Sequence, residues 1–232
     1  MSMQSIKLWD LPTRLFHWLL VAAMVALFVS GQVGGNAIEW HGRIGIFVVG
    51  LIVFRLVWGF VGSTYARFGY FFPRPSAIGA YLKGQWHGLG HNPLGALSVF
   101  ALLGLVGLQA MLGLFANDDI AFRGPLYNLI DSDLSGRLTG LHHLLANLLM
   151  LLVLLHVGAV LFYTHVKKDN LLRPMLTGRK EVEQGRGESA RGGGPLALVL
   201  ALALAALSVW AALGSWIPAP PPPPAAVETP AW

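Results

Sequence analysis

The chain has 232 residues, of which 55% are hydrophobic and only 12% are charged, and its mean hydropathy is +0.60. This composition excludes an ordinary soluble domain and is typical of an integral membrane protein. The chain has no cysteine, which excludes disulfides, thiolate-held iron–sulfur clusters and haem attached through paired thiols. Its net charge of +5 lies in the loops between apolar stretches, so nucleic-acid binding is not indicated.

Five apolar stretches are long enough to cross a hydrocarbon core as helices, which takes about 20 residues each. Backbone amides in lipid must be paired within the chain, and these stretches lack the alternation of barrel strands. The sequence therefore predicts an all-α integral membrane protein, with a four-helix transmembrane bundle and a fifth, C-terminal transmembrane helix. The predicted spans are Arg14 to Val33, His41 to Gly62, Pro93 to Ala116, Leu141 to His165 and Pro195 to Ile217.

The basic residues of the loops predict the orientation of the bundle. Twelve of the 16 Lys and Arg residues precede the first span or lie in the loops after the second and fourth spans. Three lie on the opposite side, namely Arg43, Arg123 and Arg137, and Arg55 lies inside a span. We expect the amino terminus to be cytoplasmic and the carboxyl terminus external.

Composition also divides the chain into segments. Residues 1–180 are expected to form the four-helix domain, and residues 181–194 a cytoplasmic linker that ends in the flexible sequence GESARGGG. Residues 195–217 form the extra helix, which has no ionisable residue and cannot ligate a metal. Residues 218–232 are a proline-rich tail, either a solvated segment or a tether that docks a partner.

Four histidines lie within or at the ends of the predicted spans: His17, His41, His142 and His156. An ionisable side chain in a bilayer is costly and usually functional. His142 and His156 are 14 residues apart, so they share a helix face and lie about 21 Å apart along the axis. His17 lies level with His156, and His41 with His142, so each pair can supply both axial ligands of a haem iron. The alternatives are an interfacial position or a hydrogen bond to a neighbouring carbonyl.

His143 competes with His142 for the outer position. It lies 13 residues from His156, which puts it about 140° out of phase, so we expect it to point away from the ligand face. Two of the remaining histidines, His87 and His91, lie in the cytoplasmic connector and are expected at the surface or in loops. The third, His165, ends the fourth span among basic residues and is expected at the membrane interface. For the last of these, a part in a proton or quinone step is the alternative.

Two arginines are candidates for binding haem propionates. Arg55 follows His41 by 14 residues and therefore lies on the same helix face, at the level of the inner pair. A lone arginine in a span needs an anion, and a propionate would supply one. Arg14 lies three residues before His17 and could act in the same way. The alternative for Arg55 is snorkelling to the cytoplasmic interface.

Six motifs over residues 5 to 180 carry a resemblance to a known family. They are WDLPTRLFHWLL, WHGRIG, FRLVWGFVGSTYARF, GHNPLGA, HHLLANLLMLLVLLHVG and DNLLRPMLTGRK. Together they resemble the bacterial di-haem b-type cytochromes of the cytochrome b561 and nickel–iron hydrogenase cytochrome b group. The resemblance implies a four-helix bundle that binds two haems b and carries electrons across the membrane. Its ligand positions correspond to His17, His41, His142 and His156.

The leading functional hypothesis is a transmembrane di-haem cytochrome b that relays electrons between the quinone pool and a redox partner. That partner is expected to be a periplasmic cytochrome c or a membrane-attached dehydrogenase. The chain itself would be an electron-transfer subunit of a quinone-linked oxidoreductase in the bacterial inner membrane. One alternative is the membrane cytochrome b subunit of a Ni,Fe-hydrogenase. A haem-free membrane scaffold or transporter is the alternative from another class, although no Asp or Glu lies well inside a span.

Overall fold

A computed structural model describes residues 2–120 and 122–218. Its strands and α-helices in chain order are β1 (Met3–Lys7), α1 (Leu11–Val33), α2 (Ala37–Val61), α3 (Phe68–Phe71), α4 (Pro75–Leu82), α5 (Pro93–Leu114), α6 (Ser132–His165), α7 (Leu172–Thr177), β2 (Arg179–Glu183) and α8 (Pro195–Ala212). In this part of the chain, α1, α2, α5, α6 and α8 are long and apolar enough to cross a membrane. The predicted all-α membrane class, with four spans and a fifth, is confirmed. The proline-rich tail lies outside the described residues, apart from Pro218.

Helix α2 is the centre of the bundle. It packs against α1, α5 and α8, while α6 packs against α5. Among the residues described, α1 and α6 make little direct contact, although both carry candidate ligands. The four helices of the predicted bundle therefore form an open arrangement, with a gap where α1 and α6 face each other.

The core lies where α2 meets its neighbours. Trp58 of α2 is fully buried, stacks on Phe54 with ring centroids 5.9 Å apart, and donates from Nε1 to Asp10 Oδ2 at 3.0 Å. The other carboxylate oxygen of Asp10 accepts from the backbone N–H of Thr13 at 2.7 Å and so caps α1. One buried carboxylate thus joins the first turn of α1 to the last turns of α2.

Helix α6 begins at Ser132, nine residues before the predicted span. Asp131 caps it by accepting from the N–H of Leu134 at 2.8 Å. Its 34 residues correspond to about 51 Å, well beyond a hydrocarbon core of about 30 Å. The span was predicted from hydropathy, which detects only the apolar part of a helix. The prediction therefore did not include the polar first turns of α6.

Helix α8 packs directly against the four-helix bundle. It lies along α2, and a Cβ on Gly50 would come within 2.7 Å of Val209 Cγ2. Ala201 and Ala212 of α8 are buried. Small residues on both helices allow the backbones to approach closely, which stabilises helix pairs in lipid.

The segment predicted as a flexible linker is ordered. Residues 181–183 belong to β2, which pairs antiparallel with β1 in the register Met3↔Glu183 to Lys7↔Arg179. Beyond the strand, the hydroxyl of Tyr65 donates to the carbonyl of Glu188 at 2.6 Å, and Thr64 N–H donates to the carbonyl of Arg191. Glycine-rich composition predicted mobility, but these contacts to distant residues hold the segment. We call the end of the bundle that carries this sheet the ribbon side.

Candidate functional site

A cavity of about 450 Å³ lies between α1, α2, α5 and α6 at the end of the bundle opposite the ribbon side. His41 of α2 and His142 of α6 face each other across it, with ring centroids 6.0 Å apart and ring planes at 76°. Two histidines separated by 101 residues in the sequence therefore meet as an opposed pair. We call this cavity the outer site.

Hydrogen bonds fix the tautomer of both rings. His41 Nδ1 lies 3.0 Å from the carbonyl of Leu27 in α1, and His142 Nδ1 lies 3.1 Å from the carbonyl of Gln109 in α5. A carbonyl only accepts, so each Nδ1 carries the proton and donates it. Each Nε2 is consequently left with a free lone pair, the form in which histidine binds a metal.

The dimensions of the outer site fit a metal held between two imidazoles. Nitrogens about 2.0–2.1 Å from a metal on opposite sides would put the ring centroids about 6 Å apart, as they are here. A Cβ on Gly31 would lie 3.3 Å from the His41 ring, and one on Gly113 would lie 3.4 Å from the His142 ring. Gly45 lines the cavity with no atom within 4 Å of its Cβ position, which leaves room for a flat group.

His143 stands at the rim of the outer site. Its ring centroid is 6.3 Å from that of His142, and its side chain is exposed. Unlike His142, its ring makes no hydrogen bond to α5 within the described residues. The structure thus places His142 opposite His41 and leaves His143 beside the pair.

The second predicted pair lies toward the ribbon side. His17 of α1 and His156 of α6 are close enough to interact electrostatically across the gap between their helices. His17 Nδ1 is buried without a hydrogen-bond partner among the described residues, and His156 Nδ1 lies 3.5 Å from Ser98 Oγ. We call this region the inner site.

Arg55 is buried beside the inner site. Its side chain is only 3% exposed, so it does not snorkel to the interface. The guanidinium lies 4.6 Å from the ring centroid of Phe68, and Asp10 interacts with it electrostatically. Its Nη1 is buried with no hydrogen-bond partner in the described part of the chain. A buried guanidinium with an unused donor suits an additional anion such as a propionate.

Arg14 is oriented differently. Its Nη1 donates to the backbone carbonyl of Leu176 in α7, while its Nε is buried with no partner in the described residues. The side chain therefore ties α1 to the ribbon side and still has one donor free for an anion.

His91 lies in the connector between α2 and α5, as expected for a loop residue, and it is half-buried rather than exposed. Its ring packs between Trp9 and Phe71, at centroid distances of 4.7 Å and 4.5 Å, and its Nδ1 is buried without a partner among the described residues. Burial, together with the smaller effects of the charges of Arg55 and the inner histidines, lowers the pKa of His91 to about 3.

A local signal could have placed His91 on the ribbon side. Asn92 caps α5 by accepting from Gly95 N–H at 2.7 Å, with Pro93 in the first turn, so His91 directly precedes a helix start. Its burial depends on how the connector folds back on Trp9, which local sequence does not determine. The other two histidines outside the predicted pairs and their neighbour His143, namely His87 and His165, are exposed.

The donor set fits haem better than a bare ion. Within residues 2–120 and 122–218, no group of three or more His, Cys, Asp or Glu side chains could hold a metal ion. Each histidine pair provides only two imidazole nitrogens as ligands. A porphyrin supplies the four remaining nitrogens around an iron, which makes paired histidines sufficient.

Comparisons with known proteins agree with this chemistry. The model of the family described as prokaryotic cytochrome b561 matches residues 8–178. The chain is also similar to probable Ni/Fe-hydrogenase B-type cytochrome subunits of Azotobacter vinelandii and Azotobacter chroococcum mcd 1. Each is 28% identical over 127 residues, covering 41% of this chain and 52% of the relative.

The chain spans about half the length of the curated relatives it matches. No solved structure matches it. The family match, however, covers most of the chain, including α1, α2, α5 and α6, and the resemblance of the motifs is confirmed. The chain belongs to the prokaryotic cytochrome b561 family and is a membrane b-type cytochrome.

Proposed function

We propose that the protein binds two haem b groups, one at each histidine pair, and relays electrons across the membrane between the quinone pool and a redox partner. His41 and His142 would be the axial ligands at the outer site, and His17 and His156 those at the inner site. The observation that carries the proposal is the opposed pair His41 and His142, with centroids 6.0 Å apart and both Nδ1 atoms bonded to carbonyls.

The chain's own residues would position and insulate the cofactors. The carbonyls of Leu27 and Gln109 hold the two outer rings in the tautomer that presents Nε2. Arg55 and Arg14 offer buried donors to carboxylates at the inner site. Apolar side chains of the four helices, such as Leu27, Val48 and Leu149, line much of the outer site. When bound, haem b supplies reversible one-electron oxidation and reduction of its iron.

The proposed orientation places the ribbon side in the cytoplasm. Lys7, Arg14 and the basic residues that follow α2 and α6 gather at this end, as expected for cytoplasmic loops. The inner site would then face the cytoplasm and the outer site the periplasm. Electrons would cross the bilayer between the two sites.

We propose two alternative redox partners, a periplasmic cytochrome c and a hydrogenase. A periplasmic cytochrome c fits the mildly acidic loop beside the outer site, where Asp131 and Asp133 lie at the start of α6. A hydrogenase is favoured by the similarity to the Azotobacter subunits. Co-purification with a metalloprotein that oxidises H₂ would favour the second version, whereas reduction of added cytochrome c by the reduced protein would favour the first.

Proteoliposomes provide the test of electron relay. Vesicles with entrapped ferricyanide are treated with dithionite outside, and loss of ferricyanide absorbance is followed with and without the protein. We expect the reduction to require the protein and to fall to the rate of protein-free vesicles in His41→Leu, because one axial ligand is missing. Equal rates for His41→Leu and the unmodified protein would contradict the relay. A colourless preparation from haem-replete cells would instead favour a haem-free scaffold or transporter.

A further inference from the structure

A short segment of the loop between α5 and α6 folds back over the outer site. Residues 122–126 run antiparallel to the end of α5, where the N–H of Gly124 donates to the carbonyl of Ala116 at 2.7 Å. The N–H of Leu126 donates to the carbonyl of Leu114 at 2.9 Å. A Cβ on Gly124 would collide with the carbonyl oxygen of Leu114, so this close approach requires glycine. We call residues 122–126 the outer strap.

The outer strap places the ring of Phe122 against α2. A Cβ on Gly42 would lie 2.8 Å from two atoms of this ring, so the ring fills the space that a side chain at Gly42 would take. Gly42 directly follows His41, and both Gly42 and Phe122 line the outer site. The N–H of Phe122 donates to Asp118 Oδ1 at 2.8 Å, which fixes the backbone that carries the ring. A large apolar ring therefore lies where the outer site meets the external loop.

The end of α8 supports the outer strap. Leu126 is buried in one apolar cluster with Ala212 of α8, and Ile217 packs against this cluster. Gly214, two residues beyond α8, has a φ of +66°, and a Cβ there would come within 2.5 Å of the carbonyl oxygen of Pro125. The fifth helix supplies no metal ligand, but its end and the outer strap are packed closely together.

A cover of this kind has a physical consequence for a haem at the outer site. Solvent access and local dielectric help to set the reduction potential of a bound iron. The oxidised form of a haem with two neutral imidazole ligands carries one more positive charge than the reduced form. Because water stabilises the more highly charged form, exposing the site to water would lower its reduction potential.

We propose that Phe122 insulates the outer site from the aqueous phase, and that α8 keeps Phe122 in place by supporting the outer strap. This inference rests on the haem binding of the proposed function. It gives the fifth helix a part in electron relay, although that helix carries no ligand. The alternative is that the outer strap only closes the fold, in which case the potential at the outer site would not depend on Phe122.

A redox titration of the haem-loaded protein, followed at the α-band, tests the proposal. The outer haem is the component that His142→Ala removes. We expect Phe122→Ala to shift its equilibrium toward the oxidised form by about tenfold, which lowers a one-electron midpoint potential by about 59 mV. Phe122→Leu keeps an apolar cover and should restore most of the potential. The matched control is Ile120→Ala, at a residue of the same loop that is 91% exposed, and it should change nothing.

The other side of the contact gives a second variant. Gly42→Ala should also lower the potential of the outer haem, because the new Cβ displaces the ring of Phe122. The double variant should shift no further than Phe122→Ala alone, since the two changes act on one contact. Unchanged potentials in Phe122→Ala and Gly42→Ala would overturn the proposal, and so would fully additive shifts. If Phe122→Ala did not fold, Gly42→Ala would carry the test.

Hydrogen exchange tests the support by α8 without depending on electron transfer. Gly214→Ala places a Cβ against Pro125 at a backbone conformation that alanine rarely adopts. We expect faster exchange at the amides of Gly124 and Leu126, together with a lower potential of the outer haem. Unchanged exchange at these two amides would contradict the support by α8.

The titration also separates this inference from the proposed function. An outer component that is present, but is unaffected by Phe122→Ala and Gly42→Ala, would reject the insulation and leave the haem pairs intact. A titration with no component that His142→Ala removes would reject haem binding at the outer site, and the insulation with it.

Discussion

Replacing His142 with alanine should empty the outer site and spare the inner one. The ring of His142 faces that of His41 at 6.0 Å, the separation that a shared metal needs. The neighbouring imidazole, that of His143, is centred 6.3 Å from His142, while a metal–nitrogen bond is only about 2.0–2.1 Å long. To replace the lost ligand, the ring of His143 would therefore have to move by 6.3 Å, to the position that the His142 ring occupies.

The expected effect is large. Loss of a residue that merely supports a ligand lowers metal-site affinity by about 10–100-fold, and loss of the ligand itself should cost at least about 100-fold. Haem content of the purified protein should fall from two to one per chain in His142→Ala. The reduced-minus-oxidised α-band should fall by about half. His143→Ala is the matched control and should keep both haems.

Haem extraction with quantitation against protein, together with the visible difference spectrum, measures both effects. His142→Ala with two haems and an unchanged spectrum would refute the reasoning. So would loss of one haem in His143→Ala, because the neighbouring histidine would then be the ligand.

Three further substitutions test other contacts. Gly45→Leu should expel the outer haem while the fold is retained, because the Cβ position of Gly45 points into empty space in the cavity. The control Gly104→Leu, at an exposed position of α5, should change neither the haem content nor the fold. Haem quantitation measures the first property and circular dichroism the second. Gln109→Leu removes the side-chain N–H that donates to the backbone carbonyl of His142 at 3.0 Å. Haem transfer to apomyoglobin should then show that the outer site binds haem about 10–100-fold more weakly. Unchanged transfer would contradict a supporting role for Gln109. Arg55→Gln should weaken the inner haem in the same transfer assay, whereas Arg43→Gln, at an exposed ion pair, should not.

Periodicity and length predicted the parts of the fold that depend on local composition. The 14-residue spacing of His142 and His156 put them on one helix face, and both lie on α6. The same spacing put His41 and Arg55 on one face of α2, and Arg55 is buried in the structure. Such features follow from helix geometry alone, since 1.5 Å and about 100° per residue fix relative positions.

Contacts between distant segments could not be predicted in this way. The docking of α8 depends on how Gly50 and Val209 meet, and nothing in the composition of either helix specifies the partner. The ordered segment after β2 depends on hydrogen bonds to Tyr65 and Thr64, more than 120 residues away. The packing of His91 against Trp9, in another part of the chain, could not be predicted for the same reason.

The ratio of non-covalent haem b to protein in the purified chain tests the central claim most directly. Extraction into acidified acetone followed by the pyridine haemochrome spectrum gives this ratio, since the chain has no cysteine to retain haem covalently. The account predicts two haems per chain with a low-spin, bis-imidazole signature. One haem would contradict the second histidine pair, and none would contradict the proposal as a whole.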